Sequence, residues 1–235
     1  MLKLLMILVV VGLSSGCNSL AKFKREDAKS ESRPKPTDSP ASQLGVALPA
    51  MKPGDDRELK IIAADQMTKH GYWSEAVELY LEAEAMAPRK PKLDAQLAPA
   101  LAGAGQYSKS LQRYRGLVKD NPKNASLVNN YAFTLMESGD NVAAETEFRR
   151  ALKLDPKFEN AAVNLGLLLA RQQRHDEALA VLIPAIGEAA AHHNLGVVAI
   201  DSGDEETARK QFAIAASLPS APKATYEFIA AIERP

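Results

Sequence analysis

Three segments of the 235-residue chain align without a gap: GYWSEAVELYLEAEAMAP, GQYSKSLQRYRGLVKDNP and GDNVAAETEFRRALKLDP. Each opens on a glycine (Gly71, Gly105, Gly139) and closes on a proline (Pro88, Pro122, Pro156), and both series advance in steps of 34. A fixed period of this length constrains the fold more than any bulk property does. A unit this small cannot bury its own apolar face, so units must stack on their neighbours and share a continuous core. Composition points to the secondary structure: aromatics are only 6% of the sequence while alanine and leucine abound, which favours helices over β-sandwiches and barrels.

Small and large residues recur in register with the period. Ala64, Ala98, Ala132, Gly166 and Gly196 hold one small position, and Ala76, Ser110, Ala144, Ala178 and Ala208 hold a second. Two helices approach closely only where no side group stands between them, so these series mark the crossing point of a helix pair. One turn on, the gap takes a large residue: Tyr80, Tyr114, Phe148, Leu182 and Phe212. Ala83, Ala151, Ala185 and Ala215 fit a further small position, from which Leu117 departs. Leu97, Tyr131, Leu165 and Leu195 are the bulky residues of the opening helices, with Ala63 in that place in the first.

Over roughly residues 57–220 this pattern resembles the tetratricopeptide repeat (TPR) family. The resemblance implies an all-α fold, a right-handed α-solenoid of about five helix–turn–helix repeats. The repeats fall at about 57–90, 91–124, 125–158, 159–188 and 189–220, within a domain of 55–222, and residues 223–235 form a capping helix. Without such a cap the apolar stacking face of the last repeat would meet water.

The departures are specific. Pro99 lies inside the opening helix of the second repeat and should kink it or delay its start. The opening helix of the first repeat matches poorly. The fourth repeat is short, since Gly166 to Gly196 and Ala178 to Ala208 are each 30 residues apart. Pro184 sits in its second helix, which should end near Gly187, and Gln173 stands where a turn glycine is expected.

In the TPR family the first helix of each repeat lines a concave groove. In the last three repeats the same groove position is Asn130, Asn164 and Asn194. This ladder resembles one with which some members grip a peptide backbone, and an amide offers the donor and acceptor that an extended backbone needs. A second reading stands beside it: asparagine is common at this position and is tolerated there as an exposed residue. Phe133, Leu167 and Val197, with Met136 and Ile200, add an apolar strip that suits an amphipathic or extended peptide. Arg171 is the one good basic candidate in the groove, so a clamp for a partner's terminal carboxylate is not favoured. The sequence leaves open whether the concave or the convex face binds.

Residues 1–17, MLKLLMILVVVGLSSGC, place Lys3 before an apolar run from Leu4 to Leu13, then Ser14, Ser15, Gly16 and Cys17. These are the three regions of a secretory signal, and the run falls well short of the roughly 20 residues that span a bilayer. Small residues before the single cysteine of the sequence resemble a bacterial lipobox, with Ser14 in place of the usual leucine. The resemblance implies removal of residues 1–16 and lipidation of Cys17; an ordinary secretory signal or an uncleaved anchor is the alternative. Asn18 is not the aspartate that holds such proteins at the inner membrane, so the expected place is the outer membrane, facing the periplasm. Residues 17–54 carry five prolines and no lasting period and read as a disordered tether. Its reach is on the order of 35 Å.

Twenty-nine basic and 29 acidic residues cancel, which gives no sign of a nucleic-acid partner. His192 and His193 are adjacent and diverge by about 100° on a helix, so they do not share a metal ion. His70 and His175 are assigned to turns, and Trp73 to turn packing. No HExxH, paired CxxC, P-loop or GxSxG motif occurs, and no catalysis, cofactor or metal is expected. Lipid-anchored TPR proteins of this size resemble the pilus assembly lipoproteins of the Tad and type IV systems, some of which are pilotins. The resemblance implies a protein partner such as a secretin or another pilus component. An adaptor for cell-wall hydrolases, periplasmic proteases or outer-membrane protein insertion fits the same residues, as does a regulator of a separate enzyme.

Overall fold

A computed structural model describes residues 56–89 and 92–232. Cys17, the signal over 1–16 and the tether over 17–54 lie outside the described residues, as do the last three residues of the sequence. Eleven helices run through the described part: α1 Asp56–Lys69, α2 Trp73–Met86, α3 Asp94–Gly103, α4 Tyr107–Asp120, α5 Ala125–Glu137, α6 Asn141–Leu154, α7 Glu159–Arg171, α8 His175–Ile186, α9 Glu188–Asp201, α10 Glu205–Ser217 and α11 Lys223–Ile232. Each helix packs against the next in sequence, the first helices α5, α7 and α9 also touch in succession, and the result is an α-solenoid.

Local chemistry sets the helix boundaries. Asn124, Asp140 and Asp204 cap α5, α6 and α10 by accepting from the backbone N–H three residues on. Gly71, Gly105, Gly139 and Gly203 turn each first helix into its partner with φ between 73° and 91°. In the fourth repeat Gln173 does this at φ 63°, a left-handed conformation that residues other than glycine seldom adopt. His175 opens α8 rather than lying in the preceding turn.

The small residues do what their register predicts. Ala64, Ala98, Ala132, Ala76, Ser110, Ala144, Ala178 and Ala208 are completely buried, and Tyr80, Phe148, Leu182 and Phe212 fill the spaces beside them. Where the first helix carries glycine, the crossing has no room for even a methyl group. A Cβ on Gly166 would lie 2.4 Å from Leu182 Cγ, and one on Gly196 would lie 2.7 Å from Phe212 Cε1. Ser110 keeps its hydroxyl in this buried place by donating to the Ala98 carbonyl at 2.7 Å.

The prolines behave differently from each other. Pro99 is accommodated inside α3, which is only ten residues long and begins at Asp94. Pro184 lies near the end of α8, which stops at Ile186, and Gly187 at φ 83° leads straight into α9.

Ion pairs staple neighbouring repeats on their outer side. Arg113 of α4 donates to both oxygens of Glu84 (2.9 and 3.1 Å) and to Asp94 at 2.5 Å, joining the first two pairs. Burial works against ionisation of Glu84, but Arg113 and the Leu93 N–H outweigh it and hold the carboxyl below its ordinary value. Arg174 bonds Glu145 and Glu177, both at 2.7 Å, and so joins the third pair to the fourth. At the end of the stack α11 covers the last pair: Phe228 stacks on Phe212 with centroids 5.1 Å apart, and Arg209 donates to the Ile232 carbonyl.

Candidate protein-binding groove

The first helices α5, α7 and α9 stand side by side, and their equivalent residues form rows across the solenoid. Phe133, Leu167 and Val197 make one row. All three are half-buried: Phe133 and Leu167 pack on the central core, Val197 on the core of the last pair, and each keeps a solvent-facing part. Met136 and Ile200 are likewise half-buried. A row of apolar residues held from below and open above is a surface a partner could cover. One turn on, Glu137, Arg171 and Asp201 form a row of alternating charge, and Arg171 is exposed.

The asparagine row is not uniform. Asn130 and Asn194 are half-buried, whereas Asn164 is 6% exposed. Asn164 Nδ2 donates to Asn129 Oδ1 at 3.0 Å, across the junction of the third and fourth repeats. Asn129 is itself 5% exposed, and its Nδ2 makes a longer bond of 3.3 Å to Asn130 Oδ1. Three amides are therefore linked in series. Sequence reasoning passed over Asn129. The signal was the Asn129–Asn130 doublet, because the equivalent of Asn129 is Val163 in the next repeat and His193 in the one after.

The histidines serve the packing. His192 Nδ1 lies 2.6 Å from Gln211 Oε1, and His193 Nδ1 lies 2.9 Å from Thr225 Oγ1 of α11. The His193 ring lies against the flank of the stacked Phe212 and Phe228, with centroids 5.6 and 5.8 Å away, and burial holds its pKa below the usual imidazole value. Trp73 opens α2 and lies on Gly103 at the end of α3, where a Cβ would come within 2.3 Å of the indole. Among the described residues no group of three or more His, Cys, Asp or Glu is placed to hold a metal ion. A shallow pocket of about 70 Å³ lies away from the groove, lined by Arg209, Ala213, Ile229 and Ile232, and is too small for a metabolite.

Comparison with known proteins bears on the fold. The tetratricopeptide repeat family model matches residues 95–157 and 132–182, which spans α3 to most of α8. No curated protein sequence matches this one. Among solved structures it resembles MamA from Desulfovibrio magneticus RS-1, with 20% identity, a TM-score of 0.54, and coverage of 70% of this protein and 96% of that one. A tetratricopeptide repeat protein from Parabacteroides merdae gives 18% identity and a TM-score of 0.55, covering 76% and 73%. A thermophilic TPR protein of Thermus thermophilus gives 16% and 0.50, covering 75% and 98%. Residues 95–182 thus match tetratricopeptide repeats in sequence, and the helix pairs on either side continue the same solenoid.

Proposed function

We propose that this protein is a membrane-tethered protein-binding scaffold of cell-envelope machinery, that it catalyses no reaction, and that its setting is pilus assembly of the Tad or type IV kind. The observation that carries the binding role is the open apolar row Phe133, Leu167 and Val197 beside the asparagines of α5, α7 and α9. Stacked helix pairs leave such a surface along one side, and an extended or helical client segment can cover it.

The tethering role rests on the lipobox-like run before Cys17. Among the described residues no helix is long and apolar enough to cross a membrane. Two or three acyl groups on Cys17 would hold the protein stably at the outer membrane, where a single one would not. Confinement to a surface raises the effective concentration of the groove toward clients there. A secretin or a pilus subunit fits a scaffold placed in this way.

The test is in-cell photo-crosslinking from a probe at Val197, which reaches solvent, rather than from the buried Asn164. Adducts with a secretin or pilus component support the assembly reading. Adducts with cell-wall hydrolases, proteases or insertion factors would replace it by the adaptor reading. A probe on the convex helices that labels partners while Val197 stays silent would move the binding site off the groove.

A further inference from the structure

The chain carries no net charge, yet its charges are sorted between the two edges of the solenoid. Each first helix runs away from one edge and each second helix returns to it. The junctions that follow α2, α4 and α6 therefore share that edge with Asp56, where the preceding chain enters α1. Arg89, Lys123 and Lys157 follow the three repeat prolines at steps of 34, and Lys119 and Lys153 lie in the last turns of α4 and α6. All five are exposed, and among the described residues none makes a side-chain hydrogen bond or ion pair. Asp120 and Asp155 are exposed among them and leave the edge basic. The opposite edge is acidic: Glu75, Asp176, Glu177, Glu205 and Glu206 lie in the first turns of α2, α8 and α10, against Lys69, Lys109 and Arg171. Part of this pattern serves the helices, whose dipoles favour acids at their start and cations at their end. Lys123 and Lys157 do not serve them. Each stands two residues before the start of the next first helix, α5 or α7, where a cation is disfavoured.

We propose that this basic edge is a docking surface for anionic lipid headgroups, and that it sets the solenoid edge-on against the membrane to which the chain is tethered. The membrane setting rests on the anchoring reading above. Two observations commit the edge to lipid: the sign of its charge, and the entry of the tether at that same edge, which carries these cations to the surface ahead of the acidic side. Each basic residue brought close to an anionic leaflet strengthens the contact by roughly fivefold. The attraction fades beyond a screening length of about 8 Å. A tether with a reach on the order of 35 Å lets the solenoid leave that range, so docking is a second interaction and not a consequence of the anchor. In the docked state the row Phe133, Leu167 and Val197, which crosses the first helices from repeat to repeat, lies parallel to the membrane, with the acidic edge turned away from it.

The test reads which edge faces the lipid. A thiol-reactive donor dye is placed on Ser126→Cys at the basic edge or on Asn141→Cys at the acidic edge, both exposed positions. The two edges lie about 20 Å apart, the length of a 13-residue helix such as α5. The full-length protein is reconstituted into vesicles of phosphatidylcholine alone, or with added phosphatidylglycerol, that carry an acceptor dye on a headgroup. With phosphatidylglycerol, energy transfer from Ser126→Cys should exceed that from Asn141→Cys severalfold. The difference should vanish on phosphatidylcholine, and also at about 1 M salt, where the screening length falls to about 3 Å. Lys123→Glu with Lys157→Glu should abolish it too, and both residues lie outside the helices, where the acid suits the helix start that follows. Equal transfer from the two labels on phosphatidylglycerol, or a difference that persists on phosphatidylcholine or in salt, overturns the inference. The lipid and salt series need no charge-reversed protein, so they decide the matter even where that variant fails to fold. The anchor is read separately: an acylated Cys17 cannot take the dye. If it does, the anchoring reading fails, and the same pair of labels in a Cys17→Ser background still tests the edge.

Discussion

Replacing glycine by alanine should have opposite effects at two helical positions of this protein. In the interior of a helix alanine is favoured over glycine by roughly 1 kcal/mol. At Gly116, on the exposed side of α4, an added Cβ meets nothing within 4 Å, so that preference acts alone. At Gly166 the added methyl would lie 2.4, 2.6 and 3.0 Å from the three branch atoms of Leu182, which is completely buried against α7. Leu182 cannot swing into solvent, so either its rotamer or the separation of α7 and α8 must change. Overpacking of this kind costs about 1–3 kcal/mol, which exceeds or matches the helical gain. Gly116→Ala should raise the urea midpoint and Gly166→Ala should lower it, with unchanged slopes in both. The cause can be isolated in a cycle: in a Leu182→Ala background the obstacle is gone, and Gly166→Ala should there become neutral or stabilising. If Gly166→Ala is at least as stable as the parent, or costs as much without Leu182 as with it, the close crossing of α7 and α8 is not what glycine serves at 166.

Arg113→Ala leaves Glu84 and Asp94 without their shared partner and should cost about 1–2 kcal/mol near neutral pH, allowing for partial exposure. Because the Glu84 carboxyl is held below its ordinary value, that stabilisation exists above the carboxylate range and fades as pH falls through it, so the variant and the parent should converge in acid-titrated melts. His193 works in the same direction at higher pH. With its folded pKa depressed, the unfolded state takes up the proton first, and stability falls once pH drops below about 6.5. Urea midpoints between about pH 7.5 and 5.5 should show a slope that flattens in His193→Gln. Gly187→Ala places a methyl group at φ 83°, ψ 159°, a region essentially reserved for glycine, and should cost about 1–3 kcal/mol in a thermal or urea melt. Cys17→Ala should abolish acylation and release the protein from membranes on fractionation; retention of the variant in the membrane pellet would refute the lipoprotein reading.

The helical register was legible because helix crossings demand small residues at fixed places, and the period displays them. Ala144 or Gly166 can be recognised from the sequence since its neighbours 34 residues away obey the same demand. The early end of α8 was legible for the same kind of reason, with Pro184 and Gly187 both limiting the backbone there. What the period could not display were contacts made at one place only. Trp73 on Gly103 joins two residues whose equivalents elsewhere do not repeat the pairing, and Gly103 is invisible without the indole over it. Asn129 was overlooked for this reason too. It departs from its own register, where Val163 and His193 stand, and its partner lies 35 residues away. The burial of Asn164 followed from that bond and so was equally hidden.

The shortened repeat shows how the groove is protected from changes elsewhere in the stack. The lost residues come from α8, which has 12 residues where α6 has 14, and from the connection that follows. Asp155 to Phe158 lead from α6 to α7, whereas Gly187 alone separates α8 from α9. The groove-lining helices are not shortened: α5 and α7 have 13 residues each and α9 has 14. A deletion on the outer helix and its loop alters how the fifth repeat is set on the fourth, but it keeps whole the helical faces that carry Phe133, Leu167 and Val197. The one-residue link between α8 and α9 also leaves little slack at that junction. A client lying along the row would meet a surface whose spacing is fixed by helix packing rather than by loop conformation, and such preorganisation lowers the ordering cost of binding.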